Sequence, residues 1–359
     1  MRVRIKGNKQ DKKEIQQQPI VTEAHLKIGA WRDGGFGDSF YAYAVLKAIK
    51  EAYPNSRLEF ISPHDTFRQV FQPVNFFDFQ NKSYRDIHWI NASPLQNYDI
   101  WFCLRPMTYS AANPRLYTHE VYSVSLKRQI ELHGEEFISN PKEGERRMLG
   151  GGHLPAIDVY NHCLNLNADF YDAREVITSH SSYKDYENPF GGDYITFHQW
   201  GYTGKGHFNS KFWPYEKWRE LADKLIKEYG IRIIQLGAPN EIAMDGKIEN
   251  RLGQTNFFNS CKIVENASLH IDIEGSMVHA AALMKAPTLC LAGPSMEYWR
   301  HEDSPDVDYL VNEGSCHLMP CEANTHGWHW GCPLGHHKCM NELSVERVFE
   351  EAKRKIQDK

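Results

Sequence analysis
Residues 269–298 (LHIDIEGSMVHAAALMKAPTLCLAGPSMEY) constrain this chain more than any other stretch. A strand over 269–273, a tight polar turn at 274–276, a helix over about 277–285 and a second apolar run over 287–291 make one βαβ unit of a parallel sheet. The turn falls where the carboxyl end of a strand meets a helix N-terminus. Free N–H groups and the positive helix end converge there, and phosphate binds well in such a place. Gly275 and Ser276 let backbone approach a ligand closely, and His279, one turn into the helix, is able to donate to an oxyanion. Any α/β fold has such a turn, and His279 is equally a helix-surface histidine. On this stretch alone the two readings are balanced.

A chain of 359 residues exceeds what one hydrophobic core supports, so two domains are expected. The formal charge is −5, with no basic block beyond the N-terminal tail. That argues against nucleic acid as a partner, because binding a phosphate backbone needs a concentrated positive face. No apolar run approaches the ~18 residues of a membrane span, and no signal-peptide core follows Met1. The expectation is a cytoplasmic protein without a transmembrane segment, with peripheral contact to a membrane left open. Four of the eight cysteines fall between Cys316 and Cys339. In a reducing compartment a local cluster suggests metal or structural thiols before disulfides.

Along the chain, residues 1–23 are tail-like, although MRVRIKG alternates well enough for an edge strand. Residues 25–31 are the first confident strand. They run through RDGGFGDSF into a helix with Tyr41, Ala44, Val45, Ala48, Ile49 and Ala52 at helical spacing, stopped by Pro54. Strands follow over 58–62 and 98–104. Residues 105–152 lack periodicity and look like long loops over a binding face. A helix is expected over 156–166, and 179–189 is polar enough to be an interdomain linker. The second half repeats the α/β pattern: a strand over 194–198, a helix starting near Pro214 and closed by Gly230, and a strand over 231–236. Then come the opening βαβ unit, the cysteine segment and an amphipathic helix capped by Ser344. This gives one α/β domain over 1–188, a second over 189–343 with the cysteine-rich segment at 316–339, and a terminal helix over 344–359. A ligand belongs in the crevice between the halves.

Four segments in this order resemble the heptosyltransferase-type glycosyltransferases of glycosyltransferase family nine: GFGDSFYAYAVLKAIKEAYPNSRLEFIS, KFWPYEKWRELADKLIKEYGIRIIQLGAPNE, EGSMVHAAALMKAPTLCLAGP and CPLGHHKCM. They cover about half the chain and span both domains. The resemblance implies an α/β fold of the GT-B type, two Rossmann-like domains facing each other across a cleft. It also implies an inverting, metal-independent transfer from a nucleotide-diphosphate sugar, ADP-heptose-like, to a glycan, glycolipid or protein acceptor.

Glycosyl transfer needs a base for the acceptor hydroxyl and positive charge for the departing diphosphate. The resemblance makes Asp38 the base, next to Gly37 in the glycine-rich turn; the alternative is that Asp38 or Ser39 only caps the helix. With the other motifs present, catalysis is favoured, and replacing Asp38 is expected to abolish transfer with little change in the thermal midpoint. Lys211, ahead of Trp213-Pro214, matches the family's phosphate-contacting lysine, and Glu241 matches the acid that binds ribose hydroxyls. Gly275, Ser276 and His279 would hold the diphosphate. Glu274 stands where the family commonly has aspartate, and its longer side chain alters the contact with the donor sugar.

Cys316, Cys321, Cys332 and Cys339 could bind a structural zinc or iron tetrahedrally, as a four-cysteine iron site does in some protein-modifying members of the family. The alternative is a set of packed thiols. No cofactor is expected for transfer itself. Other readings remain. Asp306-Val307-Asp308 is a D-x-D triplet of the metal-dependent kind, placed by its surroundings in a polar surface loop. A nucleotide-sugar epimerase, a phosphorylase and a catalytically silent nucleotide- or glycan-binding module would share the same architecture.

Overall fold
The computed structural model describes residues 25–83, 97–104, 109–112, 155–164, 166–199, 202–203, 207–208, 210–295, 299–301, 303–319, 321 and 332–357. Their strands form two main sheets. The first contains β1 (Lys27–Trp31), β2 (Arg57–Ser62), β3 (Asp78–Asn81), β4 (Ile100–Cys103) and β5 (Tyr109–Ala112), in the order β3-β2-β1-β4-β5. Only the β4–β5 pairing is antiparallel. In the second half β6 (Tyr194–His198) precedes a short hairpin of β7 (Tyr202–Thr203) and β8 (His207–Phe208). Then come β9 (Arg232–Gln235), β10 (Ile248–Asn250), β11 (Leu269–Ile273), β12 (Thr288–Ala292) and β13 (Val307–Val311). The second sheet is parallel throughout, in the order β10-β9-β6-β11-β12-β13. Helices cover both faces of such a sheet, which is why its central strands are buried along their whole length.

The two sheets share one topological device. In the first, the chain moves outward from β1 through β2 and β3, then returns to start β4 on the other side of β1. In the second it moves outward from β6 through β9 and β10 and returns to start β11 beside β6. Each reversal opens a crevice at the carboxyl ends of two neighbouring strands, the place where open α/β sheets bind ligands. Arg32 and Leu104 stand at the first crevice, His198 and Glu274 at the second.

The helices follow the apolar spacing in the sequence. In the Tyr215–Tyr229 helix, Trp218, Leu221, Ala222 and Leu225 are buried, and Gly230 ends it in the left-handed conformation (φ 64°). Pro214 is the cap just before this helix. The final helix, Val345–Gln357, lays Val345, Val348 and Ala352 against the second core, and the Arg347 N–H donates to the Ser344 hydroxyl as expected of a cap.

Three expectations are corrected. The polar stretch 179–189, read as an interdomain linker from its polarity, is not loop throughout, because it carries the Ser181–Lys184 helix directly after the Arg174–Ser179 helix. Tyr183 is buried there and donates to Glu265 at 2.5 Å, while the His180 ring stacks on Phe258 at 3.7 Å. The D-x-D triplet is only partly in a loop: Asp306 is in the turn before β13. Val307 and Asp308 open β13, paired with β12, and Asp308 is tied to Arg354 at 2.5 Å and to Lys355 at 3.4 Å. Residues 109–112 form β5 where loops were expected; the rest of 105–152 and the segment MRVRIKG lie outside the described residues.

The halves meet through two helices. The Phe36–Ala52 helix packs across Ser276–Met284, and one buried apolar cluster runs from Phe40, Val45 and Ile49 to Met277, Ala280 and Leu283. Phe36 stacks on Phe257 with ring centroids 4.1 Å apart, and Tyr41 meets His279 edge-on at 5.5 Å. Gly37 makes the approach feasible: a Cβ there would sit 2.6 Å from His279 Cδ2 and 3.5 Å from the Ser276 Cα. Gly37→Ala is therefore expected to cost about 1–3 kcal/mol of stability by overpacking. Gly191→Ala, with nothing within 4 Å of the added carbon, should be near neutral in the same thermal unfolding experiment.

Candidate active site
On the first sheet, the residue that follows β1 is Arg32. Its side chain is 3% exposed, and Nη1 donates to both the Leu104 carbonyl at the end of β4 and the Tyr160 hydroxyl. Nη2 donates to Asp38 Oδ1. Burial works against the charge, but Tyr160 and Asp38 outweigh it and keep the guanidinium charged. The other Asp38 oxygen accepts the Gly35 N–H at 2.8 Å. Gly35 is thus the helix cap, and neither Asp38 nor Ser39 holds that position. Asp38 sits one turn in, reaching back as an acidic first-turn residue does. About a third of its side chain stays exposed (32%), and it lies within electrostatic reach of His279 and Tyr41. Asp38 is also the counter-ion of a buried arginine. Its removal therefore cannot leave the thermal midpoint unchanged, which corrects the expectation from sequence.

On the second sheet, Glu274 follows β11 and is 4% exposed. It pairs with Lys211, accepts the Ser295 hydroxyl proton at 2.7 Å, and its Oε1 lies 3.7 Å from His279 Nε2. Burial alone would raise the Glu274 carboxyl; Lys211 and His279 override it and hold it below the usual carboxylate range. Lys211 is itself buried, so it is not a free surface cation. Gly275 and Ser276 begin the helix directly after Glu274, and the first-turn N–H groups of a helix have no partner within it. His279 is no helix-surface histidine. It is 6% exposed, bonded through Nδ1 to His301 Nε2 at 2.8 Å, and burial pushes its pKa down against the pull of Glu274 and Asp38.

Glu241 lies beyond β9. Its Oε1 accepts the Ala238 N–H at 2.9 Å, and the same oxygen is 3.9 Å from His198 Nε2. His198, in turn, is paired with Asp272 at 3.0 Å. The structure therefore brings Lys211, Glu274, Gly275, Ser276 and His279 to one crevice, sets Glu241 beyond the neighbouring β9, and places Gly37 and Asp38 across the helix contact. Sequence reasoning missed Arg32, Tyr160, His198, Asp272 and Ser295. The signal was present for some of them: Arg32 follows an apolar strand directly, and LHIDI interleaves two polar residues with a buried strand.

The cysteine segment stands beside this crevice. Cys339 is buried, and its thiol is pushed up to about 11, first by burial and then by the nearby Cys321, Cys332 and Cys316. The four thiols thus share one neighbourhood. Among the described residues no three His, Cys, Asp or Glu side chains are arranged to hold a metal. The ring Nε2 of His337 bonds the Ser210 carbonyl, which anchors this segment to the residue preceding Lys211.

No family model matches the chain. A curated relative, lipooligosaccharide heptosyltransferase 2 of Campylobacter jejuni, is 31% identical over 111 residues, which is 30% of this chain and 31% of the relative's length. The chain thus matches about a third of that relative. Among solved structures, E. coli ADP-heptose LPS heptosyltransferase II superposes with a TM-score of 0.53 at 16% identity, over 92% of this chain and 99% of its own. TibC, an iron-containing dodecameric glycosyltransferase of enterotoxigenic E. coli H10407, gives 0.58 at 11% identity, over 94% and 77%. The fold is GT-B, with two Rossmann-like domains. The resemblance to the heptosyltransferase-type glycosyltransferases holds in sequence over about a third of the chain, and the family nine structures share the fold. Among the described residues no helix is long and apolar enough to cross a membrane.

Two outcomes test the electrostatics. Breaking the buried pair singly, as Lys211→Ala or Glu274→Ala, should cost about 3–5 kcal/mol, and the double replacement Lys211→Met/Glu274→Leu markedly less than the sum of the two, in denaturant unfolding. For His198, burial lowers the pKa, but Asp272 and then Glu241 push it up to about 9 from 6.5. A pKa raised by folding gives stability that is full below the unfolded value and lost as pH rises through the folded one. The protein should therefore lose stability between pH 6.5 and about 9, and His198→Gln should flatten that part of the profile.

Proposed function
We propose that this chain is an inverting, metal-independent glycosyltransferase that moves a heptose from an ADP-heptose-like donor to a lipopolysaccharide-type glycan acceptor, with Asp38 as general base. The observation that carries this reading is the apposition of two switch-point crevices. One holds an aspartate that is partly exposed and fixed by a buried arginine; the other holds a helix N-terminus beside a lysine. The names of the relatives supply the sugar and the nucleotide.

In this reading the acceptor hydroxyl gives its proton to the Asp38 carboxylate, and its oxygen attacks the anomeric carbon from the face opposite the diphosphate. The bond from that carbon to the phosphate oxygen breaks, and its electron pair leaves with ADP. Arg32 keeps Asp38 ionised and oriented. The Gly275 and Ser276 amides, the helix dipole and Lys211 take the growing negative charge of the leaving group. Lys211 reaches the diphosphate by sharing or exchanging its partner Glu274, while His279 and Gly37 fix the distance between the crevices. Glu241 receives the ribose hydroxyls. The D-x-D triplet takes no part in donor binding, because Asp308 is committed to Arg354 and Lys355.

A structural zinc or iron at Cys316, Cys321, Cys332 and Cys339 would need these thiols to draw closer together, because no three of them are arranged to hold a metal in this structure. Four soft donors in one neighbourhood suit either metal. They would brace the Lys211 loop through His337 and Ser210, and no step of transfer passes through the metal.

Incubation with ADP-heptose and a heptose-deficient lipopolysaccharide core should yield ADP and an extended glycan, undiminished by EDTA. Asp38→Asn, which keeps an acceptor for Arg32, should lower kcat by about 10²–10⁴-fold with a modest change in Tm. Nucleotide binding without turnover in the unaltered protein would favour a silent binding module. Metal analysis of protein purified without chelator should find about one zinc or iron per chain, lost in Cys332→Ser. Metal-free, fully folded protein would leave the thiols as packing alone.

A further inference from the structure
The second sheet carries a charged chain that the transfer step does not use. In register, β6 and β11 set Thr196 beside His270 and His198 beside Asp272. Thr196 Oγ1 and His270 Nδ1 are 2.9 Å apart, and His270 Nε2 is 3.2 Å from Asp272 Oδ2. His198 Nδ1 lies 3.0 and 3.1 Å from the two Asp272 oxygens. Thr196, His270 and Asp272 have no exposed surface. Polar side chains in a row at the centre of a parallel sheet carry a desolvation cost that apolar residues there would avoid. A cost of that kind is commonly retained for a site.

The chain ends at the carboxyl edge of β6, where His198 Nε2 faces Glu241 Oε1 at 3.9 Å. The Glu241 side chain is 5% exposed, and its Oε2 is buried with no hydrogen-bond partner among the described residues. Gly237, in the left-handed region at φ 153°, leaves the space that this oxygen occupies: a Cβ there would meet it at 2.5 Å. An open, buried carboxylate oxygen is an acceptor waiting for donors, provided that the carboxyl is ionised.

We infer that His198 is a positioning residue for nucleoside recognition: its imidazolium, clamped by Asp272, keeps Glu241 ionised so that the free oxygen accepts the donor nucleotide's ribose hydroxyls. This rests on the donor-site reading above. Burial pushes the Glu241 carboxyl up, His198 pulls it down, and Asp272 adds a smaller upward push. The titratable groups facing the pair are Asp272 and His270 on β11 and, on the adjoining β12, Cys290, which is level with Asp272. Burial raises the Cys290 thiol well above its ordinary value and so keeps it neutral. Among the described residues, the cation facing Glu241 is therefore His198.

Calorimetric titration of ADP and 2′,3′-dideoxy-ADP from about pH 6 to about pH 8.5 tests this, with circular dichroism confirming the fold of each variant. The unaltered protein should prefer ADP by about tenfold or more throughout, the worth of a hydrogen bond to a charged group. His198→Gln should lose about tenfold in ADP affinity near pH 6 and regain it towards pH 8.5, because the neutral side chain no longer holds Glu241 ionised. Glu241→Gln should lose the ribose preference at every pH. Should His198→Gln fail to fold, His198→Asn, which also removes the imidazolium facing Glu241, carries the same expected profile. A folded His198→Gln that keeps the pH profile of the unaltered protein overturns the inference and leaves the donor site standing. Failure of the unaltered protein to bind ADP overturns both.

Discussion
The contact between Gly37 and His279 is the constraint on which the rest of this molecule depends. A helix from the first sheet and a helix from the second can pack this closely only because no Cβ stands between them. The closeness carries the first crevice, with Asp38, to the second, with Glu274 and the Gly275 turn. Aromatic packing then fixes the geometry laterally, with Phe36 on Phe257 and Tyr41 against both His279 and Trp299. In the transfer proposed above, a base on one sheet and a leaving-group site on the other act together only if their separation is set to within fractions of an ångström. A glycine and a buried imidazole set it here.

Each crevice then solves the same electrostatic problem in its own way. A functional charge at the carboxyl end of a buried strand must be desolvated in part, and it survives only beside a partner. Arg32 does this for Asp38, Lys211 for Glu274, and Asp272 for His198. The pair that the proposed donor site would share with a diphosphate is Lys211–Glu274. Its longer carboxylate, in place of the family's aspartate, brings Ser295 and His279 into the same cluster. The cysteine segment is not remote from this arrangement, since His337 bonds the carbonyl next to Lys211.

Much of the fold was legible in the sequence because it follows from periodicity. The βαβ unit at 269–292, the Phe36–Ala52 and Tyr215–Tyr229 helices and the Ser344 cap were all foreshadowed by apolar spacing and by Gly230. What periodicity does not encode is which polar residues become internal. Stretch 179–189 looked like a linker because Ser and Tyr are polar, yet Tyr183 is buried against Glu265. Arg32 was missed because its partners, Leu104 and Tyr160, are distant in sequence. His279 reads evenly in the sequence as an oxyanion donor or a helix-surface histidine, because nothing local announces Tyr41 and His301. Pairings across the sheet or between halves are long-range facts, and a single sequence states them only as isolated residues.

The measurement that tests the central claim most directly is a crystal structure of the protein with ADP. The account predicts diphosphate density on the Gly275 and Ser276 amides within reach of Lys211, and the ribose on Glu241. Asp38 should face the space beyond the terminal phosphate. ADP bound away from this crevice, or with its diphosphate clear of both the helix N-terminus and Lys211, would contradict the account.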